Sequence, residues 1–210
     1  MRTHMVVAAC LIVLALGSVA AVAAETQPLF EASFEEGAAG ATPEGWVRMF
    51  EAPNVAELST REAHSGKQSL HVLDTSDKLA CSLRSPRIPV QPGTSLLVTA
   101  WYKGAADSGA SLYVEFWNEA GKRLEKEDLT ILRPAGTGQW EQVRGIVEVP
   151  AAAVALTLLP SCWSGGQCDS YYDDLRAVVG AFEPVDRQAL PPATVAHPCG
   201  LYKAEDIARA

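Results

Sequence analysis

The chain has 210 residues, 48% of them hydrophobic, 20% charged and 7% aromatic, which excludes collagen-like, coiled-coil and wholly disordered chains. Seventeen Lys and Arg against 25 Asp and Glu give a formal charge of −8. An acidic chain with no basic run is a poor phosphate binder, so neither nucleic acid nor an anionic membrane surface is expected as a partner.

In chain order, residues 1–24 read as a signal peptide. Arg2 precedes an uncharged run from Met5 to Ala24 centred on Leu11-Ile12-Val13-Leu14, and Val22-Ala23-Ala24 supplies small residues before Glu25. The apolar centre is short for a membrane span and no basic flank follows it. Cys10 precedes most of that run, whereas a lipidated cysteine follows it. The expectation is a secreted, periplasmic or cell-surface protein with no membrane association after cleavage.

Export places the remaining cysteines, Cys81, Cys162, Cys168 and Cys199, in an oxidising setting. Four cysteines allow three pairings. Cys162-Trp-Ser-Gly-Gly-Gln-Cys168 is a short loop with a Gly pair at its tip, so closing it needs little reorganisation, and a Cys162–Cys168 disulfide is expected. No CxxC or paired-His spacing supports zinc. Cys81 and Cys199 stay unassigned.

Residues 25–180 read as one β-sandwich. Period-two runs occupy residues 69–73, 80–85, 96–103, 111–118, 141–149, 154–159 and 171–179, separated by turn signals such as Gln91-Pro92-Gly93 and Glu119-Ala120-Gly121-Lys122. No helical stripe interrupts them. Alternation puts Leu96, Val98, Ala100 and Tyr102 on one side, with Leu112, Val114 and Phe116 on the matching side of the next strand. The opposite sides carry Trp101 and Lys103, then Tyr113, Glu115 and Trp117. If those two strands are neighbours, the rings form an aromatic strip for stacking sugar faces, with polar partners between them. The other reading is that a second layer covers the rings. Trp163, on the Cys-closed loop, is placed to form the lip of a site at the sandwich edge. Trp46 is expected to pack against the core or a loop, and Trp140 to plug the end of the core.

The ordered string Ser33-Phe34-Glu35-Glu36-Gly37, Trp46, His64-Ser65-Gly66-Lys67-Gln68-Ser69-Leu70, Val90-Gln91-Pro92-Gly93, Trp101, Trp140 and Tyr171-Tyr172-Asp173-Asp174-Leu175 resembles carbohydrate-binding modules of the family 4/9/22 type. The resemblance implies a galactose-binding-like jelly roll of the kind appended to secreted glycan-degrading enzymes. It also implies a structural calcium held by Glu35, Asp173 and backbone carbonyls around Lys67, a hard cation needing oxygen ligands. Asp173 shares the inward side of Leu175, which favours it over Asp174 as the ligand. Ser65-Gly66 is expected to form a tight turn whose glycine takes a left-handed backbone.

No carboxylate pair can be placed at the separation that glycoside hydrolysis needs. His64 and His71 fit no catalytic triad spacing, and phosphate loops are absent. The first expectation is therefore a non-catalytic polysaccharide- or oligosaccharide-binding module with Trp101, Tyr113, Glu115, Trp117 and Trp163 as its contact residues. Residues 181–198 read as a Pro-bearing linker. Residues 199–210 read as a helix start that ends after about two turns. His197, Pro198, Tyr202, Asp206 and Ile207 resemble the entry to the helical domain of heparinase II/III-like polysaccharide lyases, which implies a downstream catalytic domain. The alternatives are an adhesion or interaction module, and the front fragment of such a lyase.

Overall fold

A computed structural model describes residues 28–180, apart from 52, 107, 126 and 127. The expected signal peptide, linker and helical tail lie outside the described residues. Twelve strands are formed: β1 (Phe30–Ala32), β2 (Val47–Arg48), β3 (Val55–Ser59), β4 (Ser69–Asp74), β5 (Cys81–Arg84), β6 (Ile88–Pro89), β7 (Ser95–Lys103), β8 (Ala110–Trp117), β9 (Thr130–Leu132), β10 (Glu141–Glu148), β11 (Ala155–Cys162) and β12 (Cys168–Val179). All seven strands read from periodicity are present, within about three residues at either end.

They build two antiparallel sheets packed face to face, the jelly-roll sandwich expected from the sequence. One sheet runs β10-β7-β12-β4-β3, with β1 continuing the β4 edge of β12. The other runs β2-β5-β11-β8-β9, with β6 beside β11. Consecutive strands β7 and β8 thus belong to different sheets, and the loop between them crosses the end of the sandwich.

The core is the inward half of each alternation. Leu96, Val98, Ala100 and Tyr102 of β7 are all fully buried, and Leu112, Val114 and Phe116 of β8 face them from the other sheet with Leu156 and Leu158 of β11. Each of the buried Leu, Val and Phe side chains stabilises the fold by about 1.5–3 kcal/mol relative to exposure. Tyr102 and Tyr172 meet edge-on inside, with centroids 5.2 Å apart. Trp46 packs on the core's margin against Phe34 and Phe30, as expected. Trp140 is only half-buried and lies edge-on to His64, 5.7 Å between centroids, so it is no core plug.

Strand β12 breaks its own alternation. Cys168, Ser170 and Tyr172 point inward, yet so do Leu175 and Ala177, an odd step that needs one extra residue. A bulge between Asp173 and Arg176 supplies it, with Asp174 in the left-handed region at φ 47°. The bulge buries Asp173 completely and turns Asp174 outward.

Candidate functional site

The aromatic residues singled out in the sequence divide between the two outer faces. Trp101 stands on β7 in one sheet, whereas Tyr113, Glu115 and Trp117 stand on β8 in the other, so the single strip expected from adjacent strands does not form. The buried core separates them.

On the β8 face, a groove of about 260 Å³ is lined by Tyr113, Glu115, Arg123, Ser82, Ser161 and the loop residues Trp163 and Ser164. Trp163 is 52% exposed, and its position is fixed from below. A Cβ on Gly165 would come within 2.4 Å of the indole, and one on Gly166 or Gly109 within 3.0 Å. Only bare glycine backbone lets the ring lie that close. Hydrogen bonds from Gly165 and Gly166 N–H to the Trp163 carbonyl, and from Trp163 N–H to the Gly109 carbonyl, close the loop under the ring. Nothing in the sequence beyond the Gly pair signalled this bed.

Glu115 is buried at the groove floor. Arg84 donates to its Oε2 at 3.1 Å and Arg123 to its Oε1 at 2.6 Å. Both oxygens are engaged, so Glu115 orients two guanidinium groups at the groove floor. Trp117 departs from expectation. The guanidinium carbons of Arg87 and Arg84 lie 4.3 and 5.0 Å from its ring centroids, and its Nε1 donates to Thr157 Oγ1 at 3.0 Å. Its ring is occupied by cation–π contacts and offers no open platform.

On the opposite face, a cleft of about 350 Å³ is lined by Trp101, Thr99, Gln142, Arg144, Arg176 and Asp174, among others. Trp101 is stacked on His64, centroids 3.8 Å apart and planes 13° from parallel. His64 Nδ1 lies 2.8 Å from Asp174 Oδ2, and Ser65 Oγ donates to Asp174 Oδ1 at 2.8 Å. The bulge that exposes Asp174 thereby locks the ring beneath Trp101.

The same turn is gripped by Glu35 and Asp173. Lys67 and Gln68 N–H donate to Glu35 at 3.0–3.1 Å; His64 and Ser65 N–H donate to Asp173 Oδ2 at 2.9 and 3.1 Å. Gly66 takes the expected left-handed backbone at φ 63°, and a Cβ there would sit 2.4 Å from the Glu35 carboxylate. Burial pushes the Asp173 carboxyl above its ordinary 3.8, against the pull of the Ser65 and His64 amides. Neither Glu35 nor Asp173 has a salt-bridge partner among the described residues. Two carboxylates on one turn are hard donors suited to calcium. No third His, Cys, Asp or Glu side chain joins them at metal-binding spacing among the described residues. Lys67, expected to offer a carbonyl, turns its N–H toward Glu35.

Cys81, Cys162 and Cys168 are buried free thiols, and the expected Cys162–Cys168 disulfide is not formed in this structure. The fold nonetheless brings the pair together. Cys162 ends β11 in one sheet and Cys168 opens β12 in the other, where the Cys168 thiol donates to the Val72 carbonyl at 3.5 Å. The two thiols interact, which lowers the Cys168 thiol and raises Cys162, while burial pushes Cys81 up to about 12. Cys199 lies outside the described residues.

No protein-family model matches the chain, and no curated protein does. Solved structures do. The CBM22-1 xylan-binding domain of Paenibacillus barcinonensis Xyn10C superposes with a TM-score of 0.51 at 20% identity, covering 73% of this chain and 95% of that one. The fold is shared with carbohydrate-binding modules. The CBM22-1–GH10 modules of Clostridium thermocellum Xyn10B, solved with xylohexaose, give 0.52 at 15% identity, over 74% of this chain and 29% of that one. The enzymatically active domain of bacteriophage CBA120 tailspike protein 4 gives 0.54 at 11%, over 65% and 20%.

Proposed function

We propose that this chain is a secreted, non-catalytic carbohydrate-binding module that holds polysaccharide for an attached degradative enzyme. The observation that carries the reading is Trp163, a half-exposed indole held close against the bare backbone of Gly165 and Gly166 at the rim of a groove that also holds Tyr113. A pyranose stacks its C–H face on such a ring, while Ser82, Ser161, Ser164 and the Arg123–Glu115 pair meet its hydroxyls. The fold shared with xylan-binding modules supports the ligand class and makes xylohexaose the first probe. Engagement of both Glu115 oxygens by arginine supports a binding rather than a hydrolytic role.

Calcium belongs to the same proposal. Asp173 is a fully buried carboxylate held above its ordinary pKa with no salt-bridge partner among the described residues, and an ion on Glu35 and Asp173 would compensate both charges. Its remaining ligands would be backbone carbonyls and water.

Trp163→Ala tests the site. Loss of one stacking contact, about 1 kcal/mol, weakens xylohexaose binding about fivefold in calorimetry and leaves the melting temperature in place. Unchanged affinity for xylohexaose, and for every other glycan the wild type binds in a soluble-polysaccharide screen, refutes the site.

A further inference from the structure

Resting on that carbohydrate reading, we infer that the module carries a second, independent glycan site on its opposite face, built on Trp101, so that one molecule holds two glycan segments. The division of the aromatics between the sheets leads here. Trp101 and Trp163 line separate cavities, of about 350 and 260 Å³, on outer faces of different sheets. Packed sheets lie about 10 Å apart with their outer faces turned away from each other. A single hexasaccharide seated along one face therefore does not reach the other without rounding the sandwich edge.

The Trp101 cleft has the chemistry a pyranose needs. The indole lines the cleft together with Thr99, Gln142 and Arg144, which bring a hydroxyl, an amide and a guanidinium to bear on sugar hydroxyls. Its aromatic wall is held in place as firmly as the Trp163 ring, by different means. His64 covers one face of Trp101 at 3.8 Å, and Asp174 pins the imidazole in turn at 2.8 Å. A side chain fixed before the ligand arrives loses little entropy on binding. That arrangement is unnecessary for the core, because every core-facing residue of β7 is already buried on the other side of the strand. Two sites facing opposite ways make the module a cross-linker of neighbouring chains in a polymer, and linkage raises avidity without any new contact.

The test is calorimetry with xylohexaose and with cellohexaose on the wild type, Trp101→Ala, Trp163→Ala and the double variant. The expected wild-type isotherm shows about two sites per molecule; each single tryptophan variant weakens one of the two about fivefold, and the double variant weakens both. Melting curves are taken for each protein. Because Trp101→Ala removes a packed ring, Arg144→Ala, at an exposed position, is the second variant. It keeps both sites but weakens one of them severalfold. A wild-type stoichiometry of one, weakened by Trp163→Ala and indifferent to Trp101→Ala and Arg144→Ala, overturns the second site and leaves the carbohydrate reading standing. Absence of binding by either hexasaccharide counts against both.

Discussion

Oxidation of the Cys162–Cys168 pair is expected to staple the two sheets together. Because Cys168 is buried, an added disulfide such as oxidised glutathione reaches it when the sandwich end opens locally, and the Cys168 thiolate then attacks it, releasing one glutathione thiolate. Cys162 then attacks the mixed disulfide, releasing the second and closing the bridge. Cys168 is the attacking sulfur because the neighbouring Cys162 thiol lowers its pKa, whereas burial holds Cys81 at about 12 and keeps it protonated. The closed loop spans about seven residues, for which loop-entropy loss in the unfolded chain gives about 2.4 kcal/mol of stabilisation. In a domain of about 150 residues that raises the melting temperature by roughly 5–10 °C. Scanning calorimetry with and without reductant measures it, Cys162→Ser abolishes the difference, and peptide mapping without reduction identifies the pair. Equal melting temperatures in both states, or a Cys81–Cys162 linkage between these cross-strand neighbours, would refute the reasoning.

Trp117→Ala is expected to leave glycan binding unchanged and to lower stability by about 2–3 kcal/mol, since it removes two guanidinium contacts and the bond to Thr157; a large affinity loss at constant stability would restore it as a platform. Gly165→Ala drives a methyl into the Trp163 ring and is expected to weaken binding about as much as Trp163→Ala, while the melting temperature shifts little. If affinity survives, the glycine bed is irrelevant to binding. Asp173 is expected to titrate above 3.8 by NMR in chelator. Since its folded pKa is raised, its contribution to stability is present in full below the unfolded value and is lost as pH rises through the folded one. Calcium is expected to pull that titration down and to raise the melting temperature, so identical curves in calcium and chelator eliminate the ion.

The sandwich was legible in the sequence because its long strands alternate cleanly. Leu96 to Tyr102 and Leu112 to Phe116 declare their inward sides without help from the rest of the chain. Strands β1, β2, β6 and β9 span two or three residues each, too few for a period, and β3 escaped although Ala56 and Leu58 are core residues. The candidate site was harder. Proximity in sequence suggested that β7 and β8 are neighbours, but sheet membership is decided by where the connecting loop crosses, which periodicity does not encode. The burden on Trp117 comes from Arg84 and Arg87, distant in sequence, just as the support of Trp163 comes partly from Gly109. Asp173 was placed inward by alternation with Leu175, and it is buried; the bulge that also leaves Tyr172 inward is written only in the left-handed turn at Asp174.

Strand β1 adjoins the last strand at its far end: Phe30 pairs with Ala177 and Leu29 N–H donates to the Ala177 carbonyl at 2.8 Å. The first and last described residues therefore leave the sandwich from one corner. Tension applied between them pulls this three-residue pairing apart one bond after another, as a zipper opens, instead of shearing all its bonds together. Under drag from a polymer gripped on the sandwich faces, β1 would peel first. The bulged carboxylate cradle behind it, where Asp173 and Glu35 hold the turn at residues 64–68, would take the strain next. A fold strong in the melting curve can thus be soft to a pull along this one axis, and the order of rupture is set by the register of β1 on β12.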